Sequence, residues 1–319
     1  MEKYDFDRSK IRDFLSLNEN VFGKFENFES KEIGGGENNL NFLVTLDETK
    51  KFVFRFSKTG ALVDRLEHEY EFLKLLPNGV APQALLFDNS GKFFDTPILV
   101  ESFVHGVHPD KWSDDDLKKF AKILSDIHSI KKPYVRIDVY EYFEKLNEYL
   151  FNDKPELRKD AELTLYISQF ETYSQKNDHL FEDLDYLSLI HSDLASSNIL
   201  SNEGNFTVID WELAKYNDNA KDFSTFFYDD CDLNSGKWRI ELSGERQKIL
   251  FSEYKKYFPD PTLEDRVAVW LTFDKLCSLI YLKWKKLSYK NDVIDKTISD
   301  EDVNTDIYAL SASLHKTLG

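Results

Sequence analysis

Residues able to do chemistry concentrate between His191 and Glu212. His191-Ser-Asp-Leu-Ala-Ser-Ser-Asn198 reads H-x-D-x-x-x-x-N, and Val208-Ile-Asp-Trp-Glu212 sets a second aspartate at the end of an apolar strand, seventeen positions after Asp193. Transfer of a phosphoryl group from ATP needs such parts: a carboxylate to meet the acceptor hydroxyl, and an amide oxygen plus a second carboxylate to hold magnesium on the phosphates. Asp193 is the candidate base. With an ordinary pKa it is ionised at neutral pH, so it can orient a hydroxyl and accept its proton late. Asn198 and Asp210 offer the hard oxygens that magnesium prefers. His191 is read as a brace for the loop rather than a titrating group. Asp and Asn also gather in turns. The flanking apolar residues Leu189, Ile190, Ile199 and Leu200, followed by Val208-Ile-Asp210, make the combination far more specific than the first motif alone.

Two further features point to phosphate. Gly34-Gly-Gly-Glu-Asn-Asn39 lies between two strand candidates, and backbone amides of a glycine turn approach phosphate oxygens closely; Gly35, Gly36 and Asn38 are the candidates there. By itself a three-glycine hairpin is a weak signal. No G-x-x-x-x-G-K-[ST] occurs, which argues against a P-loop. Arg55 sits in the apolar run Phe52-Val-Phe-Arg-Phe56, and alternation places Val53, Arg55 and Ser57 opposite the three Phe side chains. A charge facing inward needs a partner. A phosphate and a helix carboxylate are the natural ones, and Glu69, beside Leu66 and Tyr70, is the carboxylate chosen.

The elements that must position these groups follow from pattern. Strands are expected at 25–33, 39–46, 51–57, 84–87 and 97–104, with a helix at 61–76 whose buried stripe is Leu62, Leu66, Tyr70 and Leu73. After Gly106 the chain reads as mostly helical: 114–130, 139–151, 156–175, 246–257, 263–287 and 300–318, with loop, short strand, loop and strand at the chemical stretch. A hinge is expected near Glu101 to Gly106, where Glu101 and Phe103 would border the adenine. The expected division is 1–103 and 104–319.

The chain has 319 residues, which suits two lobes around a cleft. Its 26 Phe and 16 Tyr against one Met mean that aromatics carry much of the core. A net charge of -17 repels nucleic acid and anionic membranes, so neither is an expected partner, while cationic ligands are tolerated. Two cysteines, Cys231 and Cys277, make neither a metal spacing nor a disulfide framework. No signal core or membrane-length apolar run is present, so a reducing cytoplasm is the expected setting. Oligomeric state is left open.

The segment Ile190 to Leu200, with Ile209-Asp-Trp-Glu-Leu-Ala214, resembles the aminoglycoside phosphotransferase and choline kinase superfamily. Protein kinases would show D-F-G where this chain has Asp210-Trp-Glu212, and A-P-E is absent. Phe54-Arg-Phe-Ser-Lys-Thr-Gly60, then Asp64-Arg65 and Glu69, is similar to the arginine strand and the following Asp-Arg and Glu helix of choline and ethanolamine kinases. Gly79-Val-Ala-Pro82 and the order of Asp210, Asn217 and Asp222 agree with them too. Leu213 in place of a common Tyr, and Phe223-Ser-Thr225, depart from their pattern. The resemblance implies an α+β, bilobal protein-kinase-like fold, with a small five-stranded antiparallel N-lobe and a helical C-lobe. It also implies ATP and magnesium as cofactors. It places Asp229 near a substrate cation, with Glu212 close by. On one helical face downstream lie Trp270, Phe273, Cys277, Ile280, Tyr281 and Trp284; ring faces attract ammonium groups, although such a stripe is usually core. Trp270 and Trp284 are the ring candidates. The leading expectation is a kinase for a small cationic amino alcohol. The alternatives are an aminoglycoside-type phosphotransferase and a catalytically silent nucleotide-binding regulatory module.

Overall fold

The computed structural model describes residues 8–34, 39–58, 64–109, 111–182, 184–224, 242–289 and 300–319. They fall into two compact units, one drawn from Met1–Val107 and Leu200–Ala214, the other from His108–Ile199 and Lys215–Gly319.

In the first unit, helices α1 (Arg8–Leu17) and α2 (Glu19–Phe22) precede strands β1 (Phe28–Gly34), β2 (Asn39–Leu46) and β3 (Lys50–Ser57). Helix α3 (Asp64–Leu73), β4 (Ala84–Asp88) and β5 (Ile98–Ser102) follow. The five strands form one antiparallel sheet in the order β1-β2-β3-β5-β4. β1 starts three residues later than the pattern suggested. The cause is local: the backbone N–H groups of Glu26 and Asn27 donate to Asp47 Oδ1 at 3.0 and 2.9 Å, so they are taken from any ladder. Asp47 and Glu48 both have positive φ in the three-residue turn between β2 and β3, which Thr49 N–H closes onto Leu46 O at 3.1 Å. Aromatic side chains fill the space under the sheet. Phe54 and Phe56 of β3 meet Phe14, Phe22 and Phe94, with the Phe14–Phe54 centroids 5.9 Å apart and the rings edge-on.

The second unit begins with α4 (Asp114–His128), whose Ser113 and Asp116 form a reciprocal capping box. β6 (Lys131–Pro133), α5 (Val139–Asp153) and α6 (Ala161–Asn177) follow. The single helix expected at 156–175 is divided, because Asp160 turns its carboxylate onto the N–H groups of Glu162 and Leu163 and so starts a new helix. β7 (Tyr186–Ile190) leads into the chemical loop. The hairpin β8 (Ile199–Asn202) and β9 (Asn205–Val208), turning at Glu203 and Gly204, comes next along the chain but from Leu200 belongs to the first unit. Lys215–Asn217 forms β10, which pairs with β7, and β7 pairs with β6. Helices α7 (Ala220–Ser224), α8 (Gly244–Tyr254), α9 (Leu263–Tyr289) and α10 (Asp300–Leu318) complete the unit.

The division differs from a single cut after residue 103, because Leu200–Ala214 returns to the first unit. Val107 and Ser201 exchange backbone hydrogen bonds at 3.0 and 2.8 Å, and Val208 N–H donates to Val80 O at 2.8 Å. Gly106 permits the first of these contacts: a Cβ there would meet Ser201 O at 3.0 Å and Leu200 Cβ at 3.1 Å. No described helix is long and apolar enough to cross a membrane. Phe54→Ala should cost ~3–5 kcal/mol, as expected for deleting a fully buried ring. Urea unfolding would measure this, and a loss under ~1 kcal/mol would remove the aromatic cluster as a main support of the sheet.

Candidate active site

The predicted site residues fall into two groups, one within each unit. In the first, β3 sends its Phe rings into the core and so turns Arg55 to the opposite face. The guanidinium is nonetheless buried, with its side chain 7% exposed. Nη1 donates to Glu69 Oε1 at 2.6 Å and lies 3.7 Å from Glu101 Oε1, while Nη2 donates to Asp210 Oδ1 at 2.6 Å. Three carboxylates thus surround one cation. Burial pushes Glu69 and Glu101 above the usual carboxylate range, against the pull of Arg55. Burial also works against the charged guanidinium, but the carboxylates outweigh it and keep Arg55 protonated. Arg55 Nε has no hydrogen-bond partner among the described residues, so its N–H is a donor left for an anionic oxygen.

Asp210 has φ +66°, rare for a non-glycine residue, and its side chain is 39% exposed. The next residues explain how such a backbone persists. Trp211 is fully buried, its backbone N–H donating to Glu69 Oε1 at 2.8 Å and its indole Nε1 to Val208 O at 2.9 Å. Glu212 receives Asn39 Nδ2 at 2.8 Å and Arg65 Nη1 at 3.1 Å. Glu212, expected near substrate, is thus held by β2 and α3. Phe103 gives its backbone N–H to Lys51 O at 3.4 Å, and its ring lies edge-on to His105. Gly35, Gly36 and Asn38 lie outside the described residues. At the edges of that gap, Gly34 has φ +111° and Asn39 is the residue bonded to Glu212.

The second group is the loop after β7. Asp222 of α7 is fully buried and accepts the backbone N–H groups of His191 and Ser192, both at 2.8 Å, one on each oxygen. This clamp holds Ser192 at φ +71° and delivers Asp193 to an exposed position. Asn198 Nδ2 donates to Asp193 O at 2.8 Å and to Asp193 Oδ2 at 3.2 Å, so its amide nitrogen faces Asp193. Behind Asp222, His128 Nε2 lies at 3.2 Å, and His128 Nδ1 lies 2.8 Å from Tyr254 Oη, which accepts from Asn219 Nδ2 at 2.7 Å. His128 thus bridges the Asp222 carboxylate and the Tyr254 hydroxyl through its two ring nitrogens. The pattern of the sequence pointed to Asp222 but not to His128 or Tyr254, which lie 94 residues before it and on α8.

Each unit carries one hard oxygen group of the kind magnesium prefers, the half-exposed Asp210 carboxylate in the first and the Asn198 amide in the second. Among the described residues, no group of three or more His, Cys, Asp or Glu is arranged to hold a metal ion by itself.

The two ring candidates lie in different settings. Trp270 is fully buried, its indole Nε1 donating to Asp218 Oδ2 at 2.7 Å, and Phe273 beside it is also buried. The aromatic face does hold a cation, but it is the chain's own. Lys221 Nζ lies 5.4 Å from the Trp270 centroid and 5.0 Å from that of Phe273, and donates to Asp274 Oδ1 at 2.8 Å. Trp284 donates from Nε1 to Asp153 Oδ2 at 2.7 Å and stacks on Tyr281. The physical reason is that α9 packs its aromatic face against α5, α6 and α7. Asp229 lies outside the described residues.

The clamp has a pH signature. Burial alone would raise the Asp222 carboxyl, but the hydrogen bond from His128 and that from the His191 backbone help hold it below the usual range. A depressed carboxyl stabilises above its unfolded pKa, about 3.9 for Asp, and that stability is lost as pH falls through the lower folded value. Wild type should therefore lose unfolding free energy more steeply below about pH 4 than Asp222→Asn, which lacks the titration. Urea unfolding at a series of pH values tests this, and equal slopes would refute it.

Residues 29–256 match the model of the phosphotransferase enzyme family, APH. No curated protein matches the sequence. Among solved structures, choline kinase from Cryptosporidium parvum Iowa II is 16% identical with a TM-score of 0.69, over 98% of this chain and 96% of that one. Choline kinase LicA from Streptococcus pneumoniae is 19% identical with a TM-score of 0.66, over 96% and 99% of the two chains. The streptomycin–ATP ternary complex of APH(2″)-IIa is 16% identical with a TM-score of 0.61, over 91% and 98%. At such identities the likeness speaks for the fold, which is protein-kinase-like, with an antiparallel five-stranded sheet in one unit and a mainly helical second unit. Membership rests on the family match, which spans most of the chain: this protein belongs to the phosphotransferase enzyme family, APH.

Proposed function

We propose that this phosphotransferase moves the terminal phosphoryl group of ATP, with magnesium, to the hydroxyl of a small cationic amino alcohol of the choline or ethanolamine kind. The observation that carries the reading is the hold on Asp193. Its loop is bolted through His191 and Ser192 to Asp222, and Asn198 bonds both its backbone and its carboxylate. A carboxylate so placed and exposed can orient an acceptor hydroxyl and take its proton as the bond to phosphorus forms. Asn198 and Asp210 would hold the magnesium, whose charge would offset that of the phosphates. Arg55 adds a fixed positive charge, with Nε–H unspent. The adenine is expected along Glu101 to Val104, and the phosphates along the turn from Gly34 to Asn39.

A second reading, transfer to an aminoglycoside, is favoured by one observation. Trp270 is enclosed and Lys221 already occupies its ring face, which weakens the case for an aromatic cage around a quaternary ammonium. Larger polycations rely on carboxylates instead. Asp229 remains the proposed partner of a substrate cation in either reading. The presence of Asp193, Asn198 and Asp210 together weighs against a silent regulatory module.

Asp193→Asn should lower kcat about 10²–10⁴-fold, the usual span for losing a positioned base, with nucleotide affinity unchanged. Near-wild-type turnover in this variant would remove Asp193 from the role. Substrate class is tested by ATP consumption with choline, ethanolamine and an aminoglycoside. Turnover of none of them would reject both substrate readings.

A further inference from the structure

Helix α3 presents Arg65, His68 and Glu69 at i, i+3 and i+4, the spacing of one helical face. Each of these side chains grips a different point of one short segment. Glu69 Oε1 accepts Trp211 N–H at 2.8 Å, Arg65 Nη1 donates to Glu212 Oε1 at 3.1 Å, and His68 Nε2 donates to Ala214 O at 2.6 Å. Asn39 Nδ2, beside the glycine turn, takes the other Glu212 oxygen at 2.8 Å. The segment gripped is the one that follows Asp210, whose φ of +66° must be enforced from outside.

We infer that Arg65 and His68 are positioning residues for phosphoryl transfer. Acting through Glu212 and the Ala214 carbonyl, they hold Asp210 in its strained backbone and tie it to the start of β2. Glu212 is then a bracket between β2 and α3 rather than a substrate contact. The Glu212 carboxylate is 15% exposed and engaged on both oxygens, which suits that role. Released from this grip, the segment would relax toward ordinary backbone, and Asp210 would no longer meet the metal-bound phosphates in a fixed place. The inference rests on the ATP and magnesium reading above.

The test has two readouts on the full chain, for wild type, Arg65→Gln, Arg65→Lys, His68→Ala and Glu212→Gln. The first is hydrogen exchange, by mass spectrometry and without nucleotide, of peptides covering 208–216 and, separately, α3. The second is calorimetric binding of a non-hydrolysable ATP analogue with and without magnesium. Arg65→Gln and His68→Ala should speed exchange of 208–216 while α3 stays protected. They should also reduce the magnesium-dependent gain in affinity by about threefold or more. Arg65→Lys, which keeps the ion pair, should recover most of the loss. Arg65→Gln combined with Glu212→Gln should cost less than the sum of the two, because both break one contact. Exchange that is unchanged, or that rises equally in α3, overturns the inference. So does faster exchange with no change in the magnesium-dependent affinity, which would make the grip merely structural. A raised acceptor KM with unaltered nucleotide binding in Glu212→Gln would return Glu212 to the substrate. Wild type that binds the analogue with no magnesium effect overturns the nucleotide reading itself, and this positioning role with it.

Discussion

The ion cluster around Arg55 is the constraint on which the first unit depends. A guanidinium buried beside an aromatic core is tolerable only with charge opposite it. Glu69, Glu101 and Asp210 supply that charge from α3, β5 and the segment after β9. Removing one partner of such a buried set typically costs ~3–5 kcal/mol, because the remainder stays uncompensated. The cluster therefore ties β3, β5, α3 and the segment bearing Asp210 into one arrangement. Burial lifts Glu69 and Glu101, so the carboxylates do not come cheaply. That penalty is consistent with a site kept for chemistry rather than for stability.

Backbone strain occurs next to both functional aspartates. Ser192, just before Asp193, and Asp210 itself adopt left-handed φ values that side chains with a Cβ disfavour. Each is held by bonds from a buried carboxylate to the backbone N–H groups around it: Asp222 in one unit, Glu69 in the other. The two units thus solve the same problem by the same means. A carboxylate accepting amide hydrogens in a dry setting gives directional, charge-assisted bonds, strong enough to keep a turn in a minor conformation.

The aromatic face of α9 carries its own cation. Rings beside a carboxylate do attract an ammonium, and here they do so in the core, around Lys221 and Asp274. Burial opposes the charge on Lys221, but Asp274 keeps it protonated. Helical spacing identifies which rings share a face, but it carries no information on whether that face meets solvent, a ligand or another helix.

By itself the sequence determined the five strands, the helix bearing Glu69, and the inward faces that Arg55 and Glu69 take, because alternation and helical periodicity fix which side of an element a residue occupies; the antiparallel order came with the family resemblance. It also determined the order Asp193, Asn198, Asp210 within one chemical stretch. Tertiary structure alone decided the rest. The return of Leu200–Ala214 to the first unit depends on hydrogen bonds to Val80, Val107 and α3, which lie more than 90 residues upstream. The support of Asp222 by His128 and Tyr254, and the filling of the ring face by Lys221, are likewise pairings between distant elements. Local spacing reports the face a side chain takes on its own helix or strand, whereas its partner is chosen by how those elements pack.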